Sequence, residues 1–424
     1  MLPIGNGKCS SEDMKTSLRI LFTVHGYKPA YRIGGPILSV SALAEALVRK
    51  GHSVTVFTTN CNMSEDLDVP VDCPQLVEGV EVWYFRRQEL LKKMLPFVPY
   101  LSKSMGYLYA PAMANQLNRT VPSMDLVNTH LPFIYPTFAA ARAARLHHKP
   151  LFYHQRGVFD PARLGFRSLK KRLFLRIIEQ PILRSATTLI ALTDAEVGSY
   201  RSLCATIPCR VISNGLDVEQ YRFQPDNSTV LNLRSEAAVI LFLGRLHPIK
   251  GADKLIEAFL RVCKQFPDAI LVMAGPDEFM IENQFRSLVK QSGLQNRIVF
   301  PGMVMGEIKR DLLARADLFC LPSDAEGFSM AILEALASET AVMISPGCHF
   351  PEVEKAGIGK VVEVEPETIA KAMIALLKDR NQLKEMGQKG REFVTQNYSW
   401  DTIAGEIIDA YQEGIARHLR ANRS

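Results

Sequence analysis

Little in this chain marks it for a membrane, an oxidising compartment or a structural metal. No uninterrupted apolar run approaches the ~20 residues that a membrane-spanning helix needs. Residues 1–17 are polar and glycine-containing and lack the apolar stretch of a secretory leader, so no leader is expected. The eight cysteines form neither a CxxC pair nor a zinc-type spacing. Cys204 and Cys209 lie close together, but no His or Cys cluster accompanies them. All eight read as reduced thiols of a cytosolic protein. A net charge of +6 is too mild to call for nucleic acid. What remains is ordinary globular composition, 47% hydrophobic and 22% charged, in 424 residues. That length suggests two or three domains with large cores.

The chain alternates strands and helices. Leu18-Arg19-Ile20-Leu21-Phe22-Thr23-Val24 reads as a buried parallel strand. It runs through His25-Gly26 to a turn at Gly34-Gly35-Pro36, then a helix over 37–50 with Leu38, Leu43, Leu47 and Val48 on one side. Strands follow at 53–58 and 80–85, then at 125–130, 151–154 and 187–192, with a short one at 210–212. Such alternation is the pattern of a doubly wound α/β sheet. Thr193-Asp194-Ala195-Glu196 has the form of a helix N-terminus. A polar stretch, 224–234, reads as a linker. The alternation resumes at Ala238, with strands at 239–243, 269–274, 297–300, 317–321 and 341–345. The expected domains are therefore 1–217 and 218–398, with a final helical segment, 399–424, packing back toward the first domain.

Two basic stretches stand out. Residues 86–103 mix Arg86, Arg87, Lys92, Lys93 and Lys103 with greasy residues, broken by prolines at 96 and 99. Between Arg163 and Arg176 there are six cations and no acid, with Phe166, Leu169, Leu173 and Ile177 on one helical face. The first suits a membrane surface or a lipid-linked ligand, and the second an anionic membrane surface or a phosphate-bearing acceptor. A solvated loop explains the first as well, and a helix packed on its own sheet explains the second.

The sharpest pattern is Pro322-Ser323-Asp324-Ala325-Glu326-Gly327-Phe328-Ser329-Met330-Ala331-Ile332-Leu333-Glu334, a polar turn between a strand and a helix. A helix N-terminus offers unpaired N–H groups to an anion such as phosphate. Two carboxylates beside an anion need a reason, and binding the hydroxyls of a sugar would be one. Gly244-Arg245-Leu246-His247-Pro248-Ile249-Lys250-Gly251 adds a forked guanidinium and an ammonium in one glycine-bracketed loop. It is not the nucleotide-triphosphate loop, because Gly251 is followed by Ala252 and not by a hydroxyl. The Gly34-Gly35 turn lacks the full G-x-G-x-x-G spacing. Cations for phosphates and carboxylates for hydroxyls together describe a sugar joined to a diphosphate.

These residues resemble glycosyltransferase family 4. The resemblance rests on Arg245 and Lys250, on Glu326 and Glu334 eight positions apart, on Gly34-Gly35-Pro36, on Asn214-Gly215-Leu216-Asp217 and on Ser345-Pro346-Gly347-Cys348-His349-Phe350-Pro351-Glu352. It implies the GT-B architecture, two Rossmann-like domains facing across a cleft. It implies a retaining enzyme that moves a sugar from a nucleotide-sugar to a glycan or lipid-linked acceptor, as in cell-surface polysaccharide or glycolipid synthesis. Arg245 and Lys250 would bind the donor diphosphate, Glu326 the sugar hydroxyls and Glu334 the ribose. The backbone from Gly327 and Phe328 through Ser329, Met330 and Ala331 would cap the diphosphate, with Gly34 and Gly35 approaching from the other domain. Met303 would lie near the base. The catalytic-site histidine of the family would be His154 or be replaced by Arg156. No metal or other cofactor is expected, and Asp66-Leu67-Asp68 is discounted as a metal site. No nucleic-acid partner is expected. The implied location is cytoplasmic, with peripheral contact at the inner face of the cell membrane. A GT-B nucleotide-sugar epimerase and a non-catalytic sugar-binding relative share this layout.

Overall fold

The computed structural model describes residues 17–33, 35–63, 65–88, 108–159, 173–204, 206–222, 231, 233–234, 236–277 and 280–423. The first sheet is built from β1 (Arg19–Thr23), β2 (Ser53–Thr59), β5 (Pro74–Val77), β6 (Val80–Phe85), β7 (Leu126–His130), β8 (Leu151–His154), β9 (Thr188–Ala191) and β10 (Cys209–Val211). β3 (Cys61–Asn62) and β4 (Glu65–Asp66) form a separate small antiparallel pair. The order in the sheet is β10-β9-β8-β7-β1-β2-β6-β5. Every pairing is parallel except β5 with β6. The second sheet contains β11 (Val239–Leu243), β12 (Ile270–Ala274), β13 (Ile298–Gly302), β14 (Leu318–Leu321), β15 (Ala341–Ile344) and β16 (Gly359–Val361), in the order β13-β12-β11-β14-β15-β16, all parallel. Helices cover both faces, so the central strands are apolar on consecutive residues. Ile20, Leu21 and Phe22 are buried, as are Ile240, Leu241 and Phe242.

In each sheet the order reverses beside the first strand, between β1 and β7 and between β11 and β14. Ligands of such sheets bind outside the carboxyl ends of the strands at these reversals. The loops after β1, β11 and β14 are the ones that carry the Gly35 turn, the Arg245–Lys250 cations and Glu326.

The chain crosses between the sheets twice, and the crossings are bonded to each other. Leu216 bridges Ser399 and donates its N–H to the Tyr398 carbonyl at 2.7 Å. A Cβ at Gly215 would stand 2.7 Å from the Trp400 ring, so the residue beside the crossing must be glycine. Beyond it the helix Trp400–Arg423 lies on the first sheet. Trp400, Ile403, Ala404, Ile407 and Tyr411 join the core of β1 and β2, and the Tyr411 hydroxyl meets Asn128 at 2.7 Å.

Two expected faces shift. In the helix Gly35–Arg49 the buried positions include Ile37, Val40, Leu43, Ala44 and Leu47, while Leu38 is 53% exposed. The expected face over 163–176 fares similarly where it can be followed; residues 160–172, with Phe166 and Leu169, lie outside the described residues, as does most of 86–103. Leu173 and Ile177 are 58% and 61% exposed, and Phe174 and Leu175 are buried instead. Glu179 selects this face. It closes a π-helical turn, Leu175–Glu179, and its carboxylate accepts the Phe133 N–H at 2.7 Å and the Tyr153 hydroxyl at 2.8 Å.

Burial pushes the Glu179 carboxyl up to about 7, against the two hydrogen bonds that favour its ionised form. Below its ordinary value of 4.5 the group is protonated folded or unfolded. Between 4.5 and about 7 only the unfolded chain releases the proton, so stability falls as pH rises, by about 3 kcal/mol in total. Above that the penalty is constant. Glu179→Gln keeps an acceptor for Phe133 and removes the titration. Urea unfolding at pH 5 and pH 8 should show the variant gaining on the parent protein at the higher pH.

Candidate donor site between the two domains

The turn after β14 is fixed by its neighbours. Asp324 donates its N–H to the Ile249 carbonyl at 2.8 Å, Ser323 its hydroxyl to the same carbonyl at 3.0 Å, and Glu326 its N–H to the Gly347 carbonyl at 2.8 Å. The Ser345 hydroxyl donates to the Ser323 carbonyl. Two glycines permit this approach. A Cβ at Gly251, which has φ +64°, would overlap the Pro322 carbonyl, and one at Gly347 would overlap those of Ser323 and Asp324. The loops after β11, β14 and β15 are thus one packed unit, which gives Ser345-Pro346-Gly347 a structural purpose. His247 accepts the Ile249 N–H at 3.0 Å through Nδ1 and caps the short 3-10 turn Pro248–Lys250. That turn aims Lys250 at the motif.

Both motif glutamates are already paired with lysine. Glu326, 6% exposed, binds the Lys250 ammonium. Glu334, 9% exposed, binds Lys309 Nζ at 2.7 Å. The Tyr221 phenol lies near Glu334, and burial together with that carboxylate raises it above its ordinary range and keeps it protonated. The puzzle of two acids beside an anion site is resolved by these pairs, because each acid is neutralised on the spot. Sequence reading found Lys250 by its loop, but it missed Lys309 and Tyr221. They lie 25 and 113 residues from Glu334, with no spacing signal to connect them.

Arg245 is exposed on the same loop as Lys250, and that loop rests on the end of β12: Leu246 donates to the Pro276 carbonyl at 2.9 Å, and a Cβ at Gly275 would overlap Gly244. The helix Met330–Ala337 begins at Ser329, whose φ of −88° is one that any residue can adopt. Its first N–H groups are placed for an anion. Glu339 holds a left-handed φ of +60° at the opposite end of that helix, away from the motif. Met303 is 61% exposed at the end of β13.

From the other domain, Gly157 meets Gly327 so closely that a Cβ at Gly327 would lie 3.1 Å from the Gly157 Cα. Gly35 starts its helix at the surface with open space above it, and Gly34 lies outside the described residues. His154 and Arg156, the two candidates for the family histidine, both turn into the first domain. His154 is 2% exposed, its ring 4.7 Å from that of His130. Arg156 takes a left-handed φ of +52° and reaches Ser39 Oγ at 2.9 Å, Asn214 Oδ1 at 2.8 Å and His130 Nδ1 at 3.2 Å. Burial lowers the guanidinium to about 10, still protonated at neutral pH, and burial together with that charge keeps His130 and His154 well below the usual imidazole range. Arg156 therefore ties the first-domain helix, the end of β7 and the domain crossing to the wall that touches Gly327.

A cavity of about 560 Å³ lies between the domains on the crossing side of that wall, bounded by Thr193, Asp194 and Ser213 on one side and Phe328, His349 and Tyr398 on the other. Among the described residues there is no group of three or more His, Cys, Asp or Glu that could hold a metal ion. Asp66 of the isolated Asp66-Leu67-Asp68 is ion-paired with Arg87.

The pattern described as Glycosyl transferases group 1 matches residues 223–393, and the pattern described as Glycosyl transferase 4-like domain matches residues 34–215. An uncharacterised glycosyltransferase of Methanocaldococcus jannaschii is 24% identical over 408 residues, 93% of this chain and 98% of that one. A GDP-mannose-dependent alpha-(1-6)-phosphatidylinositol monomannoside mannosyltransferase of Mycobacterium tuberculosis is 31% identical over 209 residues, 46% of this chain and 53% of that protein. Among solved structures, HepE of Anabaena in complex with UDP and glucose superposes with a TM-score of 0.68 at 20% identity, covering 93% of this chain and 100% of that one. Its two-domain fold is the one described above. The chain belongs to the group 1 glycosyl transferases of the family 4 type, has the GT-B architecture, and is a nucleotide-sugar-dependent glycosyltransferase.

Proposed function

We propose that this enzyme transfers its sugar with retention of anomeric configuration to a glycan or lipid-linked acceptor, in polysaccharide or glycolipid assembly. The observation that carries this reading is the Lys250–Glu326 pair beneath the N-terminus of the helix Met330–Ala337. Arg245, Lys250 and the first N–H groups of that helix would take the diphosphate and stabilise the leaving group. Glu326, already committed to Lys250, is poorly suited to attack carbon as a nucleophile and well suited to accept sugar hydroxyls. A departing phosphate that takes the acceptor's proton on the same face then gives retention. Charge is supplied by side chains and helix, so the reaction is expected to run without a divalent metal, and the rate should be unchanged in EDTA.

The acceptor class is supported by the relative acting on phosphatidylinositol monomannoside and by one surface feature. Leu173 and Ile177 stand exposed beside Arg176, a greasy and cationic surface of the kind that lies on anionic lipid. Among the described residues no helix is long and apolar enough to cross a membrane, so contact of this kind would be peripheral. Vesicles containing phosphatidylglycerol should sediment the protein, and vesicles of phosphatidylcholine alone should not. Leu173→Glu with Ile177→Glu should abolish the difference.

Replacing Glu326 tests the site. Glu326→Gln keeps a hydrogen-bond acceptor for Lys250 and should lower transfer by at least about a hundredfold with a smaller loss of stability than the alanine variant. Glu326→Ala should lose activity to the same extent and also lose about 3 kcal/mol of stability, because Lys250 is left shielded and unpaired. Transfer at the parent rate in Glu326→Gln would remove the motif from the mechanism. Nuclear magnetic resonance of the first-formed product reports the anomer directly.

A further inference from the structure

Lys309 has no part in the motif that carries the family resemblance, yet it holds one of that motif's two acids. It projects from the helix Gly306–Arg315, which follows β13, and meets Glu334 on the helix that follows β14. Its side chain is 23% exposed and that of Glu334 12%, so the pair is partly open to solvent and not core. The phenol of Tyr221 approaches the same carboxylate from the segment just past the domain crossing. An ionised carboxylate has about four acceptor positions. Lysine occupies one of them on Oε1, which leaves room for the adjacent hydroxyls of a ribose.

A partly exposed ion pair adds little to folding. Next to a diphosphate the same pair has a different consequence. An unpaired Glu334 would repel the ligand and would be free to rotate, whereas the paired carboxylate is fixed and locally neutral. We propose that Lys309 is a positioning residue of the nucleoside subsite, holding Glu334 so that it reads the 2′- and 3′-hydroxyls of a ribonucleoside diphosphate. The inference rests on the donor-site reading given above, and it assigns the ribose selectivity of that site to a residue outside the motif.

Calorimetric titration with UDP, GDP and ADP, each beside its 2′-deoxy counterpart, tests it on the full chain. The parent protein should bind at least one of the three ribonucleotides and prefer it over the deoxy form by about tenfold, the weight of one hydrogen bond to a charged acceptor. In Lys309→Met the ribonucleotide should bind about tenfold more weakly, and the preference should fall toward one. Lys309→Arg should keep most of the preference, and it carries the test if the methionine variant fails to fold: complete loss of the preference in the arginine variant would overturn the proposal. An unchanged or larger preference in Lys309→Met would show that Lys309 is only structural and would overturn it too. A parent protein that binds a ribonucleotide without preference contradicts this inference alone. A parent protein that binds none of the three contradicts the donor-site reading and, with it, this inference.

Discussion

Everything at this site depends on acids and lysines being matched before any ligand arrives. Taking an ammonium and a carboxylate out of water costs several kcal/mol each, and their attraction does little more than offset it. A pair such as Lys250–Glu326, with side chains 12% and 6% exposed, is therefore a poor way to stabilise a fold. In the proposed donor site it would present carboxylate oxygens to sugar hydroxyls beside a diphosphate. Lys309 is paired with Glu334 in the same way. In that proposed site, Arg245 and the start of the helix Met330–Ala337 would then meet the phosphates without an opposing field from the motif's own acids.

Holding that arrangement requires the loops to be stiff. Gly251 and Gly347 let backbone meet backbone, and Ile249, Ser323 and Gly347 supply the hydrogen bonds that close the unit. On the other side of the cleft stiffness comes from a buried cation. Arg156 binds Ser39, His130 and Asn214, so the wall at Gly157 is tied to the segment where the chain changes domain. Trp400 against Gly215 and the Leu216–Ser399 bridge join the two crossings. A change in the angle between the domains must pass through this small set of contacts.

The fold was legible because parallel strands buried on both faces read as unbroken apolar runs, such as Val239-Ile240-Leu241-Phe242-Leu243. The Glu326–Glu334 motif was legible because its parts are consecutive in the chain. Lys309 and Tyr221 were not, because their link to Glu334 exists only after three elements pack together. The side chain of Arg156 was placed near the sugar by resemblance, and a left-handed backbone at that position turns it inward. Periodicity also put Leu173 and Ile177 on the buried face. It could not see that the Glu179 carboxylate, gripping Phe133 and Tyr153, decides which way that segment faces.

The central claim is that Lys250 and Glu326 act as a neutral unit beside the donor diphosphate. It is tested most directly by measuring nucleoside diphosphate affinity in Lys250→Met and in the double variant Lys250→Met, Glu326→Gln. Removing the lysine alone leaves a bare carboxylate beside the phosphates, and removing both charges does not. The double variant should therefore bind the nucleoside diphosphate about tenfold more tightly than the single variant. Equal or weaker binding by the double variant would contradict the account.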